Sequence, residues 1–301
     1  MPLTRHPDNP ILTPEQVGPH CSAVFNCGAV EHDGQVVLML RVEDDRRQSS
    51  FRTARSDDGV HFVVADEPIN YPQRPTEQDW GGHRFDMRLT PMDGGYYAMH
   101  AVWLQGLGCG IGIARTQDLQ HFEPVGPVSV PSNRNGVLLP EQIGGRYCRL
   151  ERPQDVDGSG TMWVGYSPDL IHWGDARPLK MPTLAWGTRK TGAGAVPIRT
   201  DHGWLTIYHA TALTASTENY YLGAMLLDLD DPSRIVAAPD RFVLQPEKLY
   251  ECVGQVPNVV FTAGAVQRPD GQLYIYYGGA DTRICLAQTT IDQLVQFCLS
   301  G

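Results

Sequence analysis

The sequence predicts an all-β chain and, more particularly, a five-bladed β-propeller. Three observations carry that expectation: short strand-like runs between tight turns, few helical patterns, and a weak internal repeat of about 60 residues. The chain has 31 Gly and 23 Pro in 301 residues. That is rich in turn formers but below what marks disorder. QVVLMLRV (35–42), GYYAMHAVW (95–103), GWLTIYHA (203–210) and QLYIYYGG (272–279) are short and rich in β-branched and aromatic residues. HDG (32–34), MDGG (92–95), TDHG (200–203) and RPDG (268–271) punctuate the chain before them. Only TIDQLVQFC (290–298) reads as a helix.

The repeat is a small or apolar strand, then Ser/Thr-x-Asp, then an aromatic or aliphatic residue. It reads TARSDDGVHF (53–62), IARTQDLQHF (113–122), VGYSPDLIHW (164–173), LLDLDDPSRI (226–235) and LAQTTIDQLV (286–295). The aspartates Asp58, Asp118, Asp169, Asp231 and Asp292 are separated by 60, 51, 62 and 61 residues. Five units of one four-stranded sheet each occupy residues 1–301 as a single propeller domain. Two β-sandwiches are the alternative, but no linker divides the chain between 100 and 200. The repeated aspartates are expected to close turns between outer strands rather than to do chemistry.

Charge and composition exclude several partners. A net charge of -10 disfavours nucleic acid and anionic membranes. No apolar run approaches the roughly 20 residues of a membrane helix. The opening MPLTRHPDNP lacks a signal-peptide core. Seven cysteines without a CxxC pair fit a reducing cytoplasm better than a disulfide framework. The ten histidines have no ligand spacing, and HExxH, calcium-loop, GxSxG and dinucleotide motifs are missing, so no metal and no cofactor is expected.

Five segments hold polar residues that the repeat leaves unexplained. In VFNCGAV (24–30) and LRVEDD (40–45), Asn26 sits in an apolar strand and Arg41 ends one. A salt-bridged strand end explains Arg41 equally well. In GGHRFDMRLTP (81–91), Asp86 lies between Phe85 and Met87. On a regular strand, Arg84, Asp86 and Arg88 share a face. A carboxyl among apolar neighbours suits a general acid, whereas flanking arginines suit a structural ion pair.

In SNRNGVLLPEQIGGRYCRLERPQ (132–154), Arg134 and Arg152 flank an apolar run and a Gly144-Gly145 turn. A hairpin there brings both planar guanidinium groups to one end of a blade, where they suit phosphate. Lys190 precedes the Gly-rich stretch of RKTGAGAVPIRT (189–200), which is not a P-loop. His209 follows Tyr208 at the end of an expected strand, where a satisfied structural histidine is the commoner role. Asp281 follows Gly278-Gly279-Ala280 after an aromatic strand, and VPNVVFTAGAV (256–266) precedes it.

In their order and spacing these segments resemble glycoside hydrolase family 130, from NPILTP (9–14) to TIDQLV (290–295). FDMRLTP, NRNGVLLPE, ERPQD and ADTR are most similar to its mannosylglucose phosphorylases. LRVED, ARSDDGVHF, YSPDLIHWGD and LGAMLLDLDDPS are similar to the wider mannoside phosphorylase group. The resemblance implies a five-bladed propeller that cleaves β-mannosides with phosphate and inversion, giving α-mannose 1-phosphate. It implies Asp86 as proton donor, acting through the mannose 3-hydroxyl. It implies Arg134, Asn135, Arg152, Lys190 and His209 as the phosphate set, and Asn26, Arg41, Phe261 and Asp281 as the mannose site. Departures are Phe85 and Met87 around the acid, Cys27 after the Asn, and Glu151 before Arg152-Pro153, where many relatives have His. They leave the acceptor sugar open.

The chemistry fits the residues. An inverting hydrolase needs a second carboxylate to activate water. A phosphorylase needs fixed cations instead, because phosphate is itself the nucleophile. The alternatives are a β-mannosidase of the same family and a non-catalytic sugar-binding propeller. Expected partners are a small β-mannoside and inorganic phosphate as co-substrate, with the chain in a small homo-oligomer.

Overall fold

The computed structural model describes residues 2–215 and 217–300. Five antiparallel sheets follow one another around a closed ring, the five-bladed propeller that the repeat predicts. Blade one comprises Cys21–His32, Gln35–Asp44, Ser49–Ser56 and Val63–Val64. Blade two comprises His83–Met92, Gly95–Leu104, Gly108–Thr116 and Glu123–Pro124. Blade three comprises Asn133–Leu138, Tyr147–Pro153, Trp163–Ser167 and Gly174–Pro178. In each, the first strand lies nearest the axis and the last at the rim.

Blade four departs from the four-strand expectation. Its order is Lys190–Ala193, Gly203–Leu213, Glu218–Leu227 and Ile235–Ala237, and the short strand Ile198–Thr200 also pairs with Gly203–Leu213. The innermost strand is split there at Gly194–Pro197. Blade five takes only three strands from the end of the chain: Val260–Gln267, Gln272–Gly279 and Arg283–Thr290. Its rim strand is Thr4–Arg5. The two ends are clasped further. Asn9 donates from Nδ2 to the Leu286 carbonyl at 2.8 Å, and its Oδ1 accepts from the Leu286 N–H at 2.7 Å. Arg5 donates to Glu251 at 2.7 Å.

The core lies between blades. Val37 and Met39 of blade one pack with Leu89 and Ala98 of blade two. Leu38 and Leu40 turn the other way, onto Tyr276 and Leu286 of blade five. Both faces of the strand are therefore buried, which is why it reads as a continuous apolar run and not as an alternation. Each such side chain contributes about 1.5–3 kcal/mol when fully withdrawn from water.

The repeat motif does what was expected of it in three blades. Ser56, Thr116 and Ser167 end the third strand, and their hydroxyls donate to Asp58, Asp118 and Asp169. Each aspartate then accepts two backbone N–H groups, those of Val60 and His61, Gln120 and His121, Ile171 and His172. These bonds, with the ring of His172, hold the Asp169 carboxyl below the usual carboxylate range. In blade four, Asp228 takes over, accepting from Asp230 and Asp231. In blade five, Thr290 instead caps the helix Ile291–Leu299, accepting from the Gln293 N–H at 3.2 Å. That helix is the one legible in the sequence. Pro14–Val17, Pro75–Asp79 and Leu249–Cys252 are single turns, too short to leave a periodic pattern.

Candidate active site

The innermost strands share a pattern that the turn repeat does not reveal. It reads FNCGAV (25–30), FDMRLT (85–90), RNGVLL (134–139), TGAGAV (191–196) and FTAGAV (261–266). Pairing with the second strand shifts at this point in four blades: between Phe25 and Gly28, Phe85 and Arg88, Arg134 and Val137, Thr262 and Gly264. In blades one, two and three the second residue of the pattern sits at the bulge. Asn26, Asp86 and Asn135 take φ of +51°, +55° and +56° there. Asn and Asp tolerate this left-handed region best among residues with a Cβ. A bulge re-aims its side chain, and here three polar groups are turned toward neighbouring blades.

Asp86 is 7% exposed. Its Oδ1 accepts from Asn26 Nδ2 at 3.0 Å and from Arg41 Nη1 at 3.2 Å. Arg41 therefore reaches Asp86 across the boundary between blades one and two. Its other amine donates to Glu43 Oε1 at 2.5 Å, and its guanidinium lies over the rings of Phe25 and Phe85 at 4.3 and 5.1 Å. Gln255, from the loop before blade five, donates to Glu43 Oε2 at 3.0 Å. Asp281, with φ of +48°, lies beside this group. Its carboxyl is pushed up to about 7, chiefly by desolvation and then by the charge of Asp86, against the pull of Arg41.

One strand expectation fails. The bulge between Phe85 and Arg88 breaks the alternation that put Arg84, Asp86 and Arg88 on one face. Arg84 leaves the site for the fully buried Glu77, donating through Nε at 2.6 Å and Nη2 at 2.7 Å. Arg88 stays fully buried but turns to backbone, donating to the carbonyls of Asp86 at 2.6 Å and Gly194 at 3.0 Å. It ties blade two to blade four beneath the site. Burial lowers its proton affinity to about 10.

Blades three and four supply the second half of the site. Arg134 and Arg152 are direct register partners, joined through a turn with Gly144 and Gly145 at φ of +56° and +76°. The hairpin expected from the sequence is thus present. His209 lies mid-strand, not at a strand end, because Gly203–Leu213 runs four residues past it. Its Nε2 accepts from Arg152 Nη1 at 2.9 Å and from Asn135 Nδ2 at 3.2 Å. Two donors on Nε2 place the proton on Nδ1, so the ring is neutral. Burial, then Arg152 and the other cations around it, holds its pKa well below the usual histidine range.

Lys190 donates to Glu218 Oε2 at 2.8 Å and lies 4.9 Å from the centre of the Tyr220 ring. Burial lowers its pKa to about 8, against the opposing pull of Glu218. The Phe261 ring packs 4.7 Å from His209 and receives Arg88 at 5.5 Å. It is a wall between the two halves. Gly192 is the corresponding residue of blade four, where pairing is regular and Gly192 lies directly opposite His209. A Cβ there would fall 2.6 Å from both Arg152 Nη1 and Asn135 Nδ2, so the residue keeps the cluster open.

The electrostatics are lopsided. Arg152 is 1% exposed and has no carboxylate partner among the described residues. Burial, then repulsion from Arg134, lowers its pKa to about 9. Arg134 Nε, Arg152 Nε and His209 Nδ1 are buried without a hydrogen-bond partner. Unsatisfied buried donors are costly and mark a place where an acceptor belongs. A compact anion with several oxygens matches them. Among the described residues no cluster of three or more His, Cys, Asp or Glu could hold a metal ion.

The structure gathers the ten residues singled out in the sequence into these two neighbouring groups, and it adds Glu43, Glu218 and Tyr220, which were not singled out, and gives Arg88 a backbone-tying place. Glu43 was visible within LRVED, and Arg88 within FDMRLT. Glu218 and Tyr220 carried no local signal, since they reach the site only through pairing of Glu218–Leu227 with Gly203–Leu213.

A five-bladed propeller with a group of buried acids around Asp86 facing a cluster of cations, of which Arg152 has no carboxylate partner among the described residues, defines a class of axial-site proteins. The chain belongs to glycoside hydrolase family 130: the family described as beta-1,4-mannooligosaccharide phosphorylase matches residues 4–300. Curated relatives agree. The chain is 34% identical to beta-1,4-mannooligosaccharide phosphorylase of Ruminococcus albus, covering 99% of this chain and 91% of that one. It is 36% identical to 1,2-beta-oligomannan phosphorylase of Thermoanaerobacter sp., covering 95% and 96%. Among solved structures, beta-1,2-mannobiose phosphorylase of Listeria innocua in complex with beta-1,2-mannobiose superposes with a TM-score of 0.88 at 28% identity, over 100% of both chains.

Proposed function

We propose that the protein is an inverting β-mannoside phosphorylase, a hexosyltransferase that uses inorganic phosphate to release α-mannose 1-phosphate. The observation that carries this reading is Arg152: a buried cation with no carboxylate partner among the described residues, bonded to His209 and grouped with Arg134, Asn135 and Lys190 around unpaired donors. Such a nest fits phosphate and has no use in hydrolysis. The named activities of its relatives support the same reading.

Mannose lies on the axis between Asn26, Arg41, Asp281 and Phe261. Phosphate, held by the blade three and four cations, attacks the anomeric carbon from one side. The bond to the leaving oxygen breaks on the other, and that oxygen takes the proton of Asp86, directly or through the mannose 3-hydroxyl. A hydrolase of this family would need a free carboxylate beside the cations to activate water. The carboxylate present there, Glu218, is engaged by Lys190 at 2.8 Å and Thr211 at 2.5 Å. Burial raises its pKa, but those bonds outweigh burial and leave it lowered, so it is a poor base.

No helix among the described residues is long and apolar enough to cross a membrane. We place the enzyme in the cytoplasm, where phosphate is at hand, as a single catalytic domain in a small homo-oligomer. The test is incubation with β-1,4-mannosylglucose, β-1,4-mannobiose and β-1,2-mannobiose, with and without phosphate. Mannose 1-phosphate formed only with phosphate is expected. Equal release of free mannose without phosphate overturns phosphorolysis, and no turnover of any mannoside returns the chain to a sugar-binding role.

A further inference from the structure

Lys190 is the vulnerable member of the cation group. It is buried at the start of the innermost strand of blade four. Burial strips it of water, and Arg152 and Arg134 of blade three repel it. Arginine, with its delocalised charge and higher proton affinity, tolerates such a place better than lysine does. A lysine there tends to give up its proton. A neutral amine holds an anion far less well than an ammonium, so a group that keeps Lys190 charged bears on the whole cluster.

Among the described residues, Glu218 is the only carboxylate in contact with Lys190. Its Oε2 accepts from Lys190 Nζ at 2.8 Å, and its Oε1 accepts from the Thr211 hydroxyl at 2.5 Å. Arg189 Nε lies 3.6 Å from the same Oε1. Sheet register builds this arrangement. Lys190 pairs with Thr211, and Thr211 pairs with Tyr220. Glu218 stands two residues before Tyr220 and so shares its face of the strand. The Tyr220 ring closes the other flank, with its centre 4.9 Å from Lys190 Nζ. That ring is stacked in turn on His209, with centres 6.1 Å apart and planes at 25°. Both oxygens of Glu218 are thus engaged, and the ammonium is held between a carboxylate and an aromatic face.

The other charged and titratable groups around Lys190 do not share this task. Arg134 and Arg152 oppose its charge. His209 is neutral, and Tyr220 keeps its proton because burial pushes its phenol above the ordinary tyrosine range. Arg189 turns outward and donates to the Asp157 carbonyl. Asp281 of blade five lies close enough to feel the charge of Lys190 but is not bonded to it. We infer that Glu218 is a positioning residue of the anion site: anchored by Thr211, it fixes Lys190 beside Arg152 and keeps it a cation. The inference rests on the phosphorylase reading above. The sign of its effect follows from the charges. The Glu218 carboxylate favours the ammonium over the amine, so its removal moves the Lys190 pKa down from about 8. A carboxylate that only competed with phosphate for Lys190 would act the other way, and phosphate would bind more tightly without it.

The test measures inorganic phosphate binding by calorimetry, and phosphate KM, between about pH 6 and pH 9. Each variant is compared with wild type at every pH, so that the titration of phosphate itself cancels. Glu218→Gln is expected to move the alkaline limb down by about one pH unit. Phosphate KM then rises about fivefold at pH 8, the loss of charged lysine when a group of pKa about 8 drops by one unit. At about pH 6 phosphate KM stays within about twofold of wild type, as does mannoside KM throughout. Adding Lys190→Arg to Glu218→Gln abolishes the shifted limb, because a guanidinium stays charged without the carboxylate. Thr211→Val keeps the side-chain volume but frees Glu218. It should shift the limb in the same direction by less, and it serves if Glu218→Gln does not fold. A limb that coincides with wild type in the folded variants, or a phosphate KM that falls, overturns this inference alone. A wild-type chain that binds no phosphate at any pH overturns the proposed function, and this inference with it.

Discussion

Asn26 and Asp86 stand 60 residues apart at the same bulge of adjacent blades, and the amide of the first donates to the carboxylate of the second at 3.0 Å. Both hold left-handed backbone conformations at φ of +51° and +55°. One repeat unit thus supplies the carboxylate proposed as the acid, and its neighbour supplies the amide that holds it. The same position in blade three is Asn135, which donates to His209 instead.

Asp86→Asn keeps an oxygen for Asn26 and Arg41 but removes the titrating proton. Turnover of natural mannosides should fall by about 10²–10⁴-fold, the usual contribution of a general acid. The melting temperature should stay within a few degrees. Steady-state kinetics beside thermal unfolding checks both. Substantial residual turnover would refute the assignment.

Lys190 gives a pH signature. Its pKa is lowered to about 8 by burial, so its charge is lost as pH rises through that value. Phosphate KM should climb above about pH 8, while Lys190→Arg, which stays charged, should flatten that limb. For stability the sign is opposite. Between about 8 and 10.5 the unfolded lysine binds more protons than the folded one, so this group adds stability as pH rises across that window. His209 is neutral throughout and contributes no limb near pH 6.

Asp281 behaves in the contrary sense. Its pKa is raised from 3.8 to about 7. Its contribution to stability is fully present below the unfolded value and is lost as pH rises through about 7. Asp281→Asn should therefore raise the melting temperature relative to wild type at pH 8, and by less than half as much at pH 5. Mannoside affinity should fall at both values. A melting difference that is the same at the two pH values would show that Asp281 is not held in this way.

The turn aspartates separate structure from chemistry. Asp118→Ala strips acceptors from the N–H groups of Gln120 and His121 and should cost about 1 kcal/mol. Asp292→Ala, in the first turn of a helix and outside any such turn, should cost only a few tenths. Denaturant unfolding measures both, and kcat should be unaltered in each.

Most of the ring was legible because the turn motif is local. Ser/Thr-x-Asp-x-x-His closes its own turn in three blades, and looser echoes of it at the same spacing mark the other two. The bulge pattern was harder to read. FNCGAV, FDMRLT, RNGVLL, TGAGAV and FTAGAV share little beyond small residues after the second position, and their common geometry is set by pairing with the next strand. That is why Arg84 was placed beside Asp86: a face assignment assumes regular alternation, and the bulge at Asp86 and Met87 shifts it. Arg134 and Arg152 were legible for the opposite reason, since a Gly-Gly turn lies between them and direct pairing follows. Glu218 could not be read at all, because its partner Lys190 lies one strand away across the sheet from its own register neighbour, Leu213.

Blade five closes with Thr4–Arg5, a strand whose partners lie some 280 residues later. The earliest-made strand must therefore wait, unpaired, until the last hairpin exists. Closing so long a loop is entropically expensive and gives the fold a high contact order, which slows the final step. Until that step, blade five has an open edge, and the strand that covers it fits the same edge on another copy of the chain. Strand exchange between copies is therefore the chief competitor of ring closure during synthesis at high concentration. The Asn9 clasp on Leu286 and the Arg5 pair with Glu251 favour the intramolecular partner once it arrives.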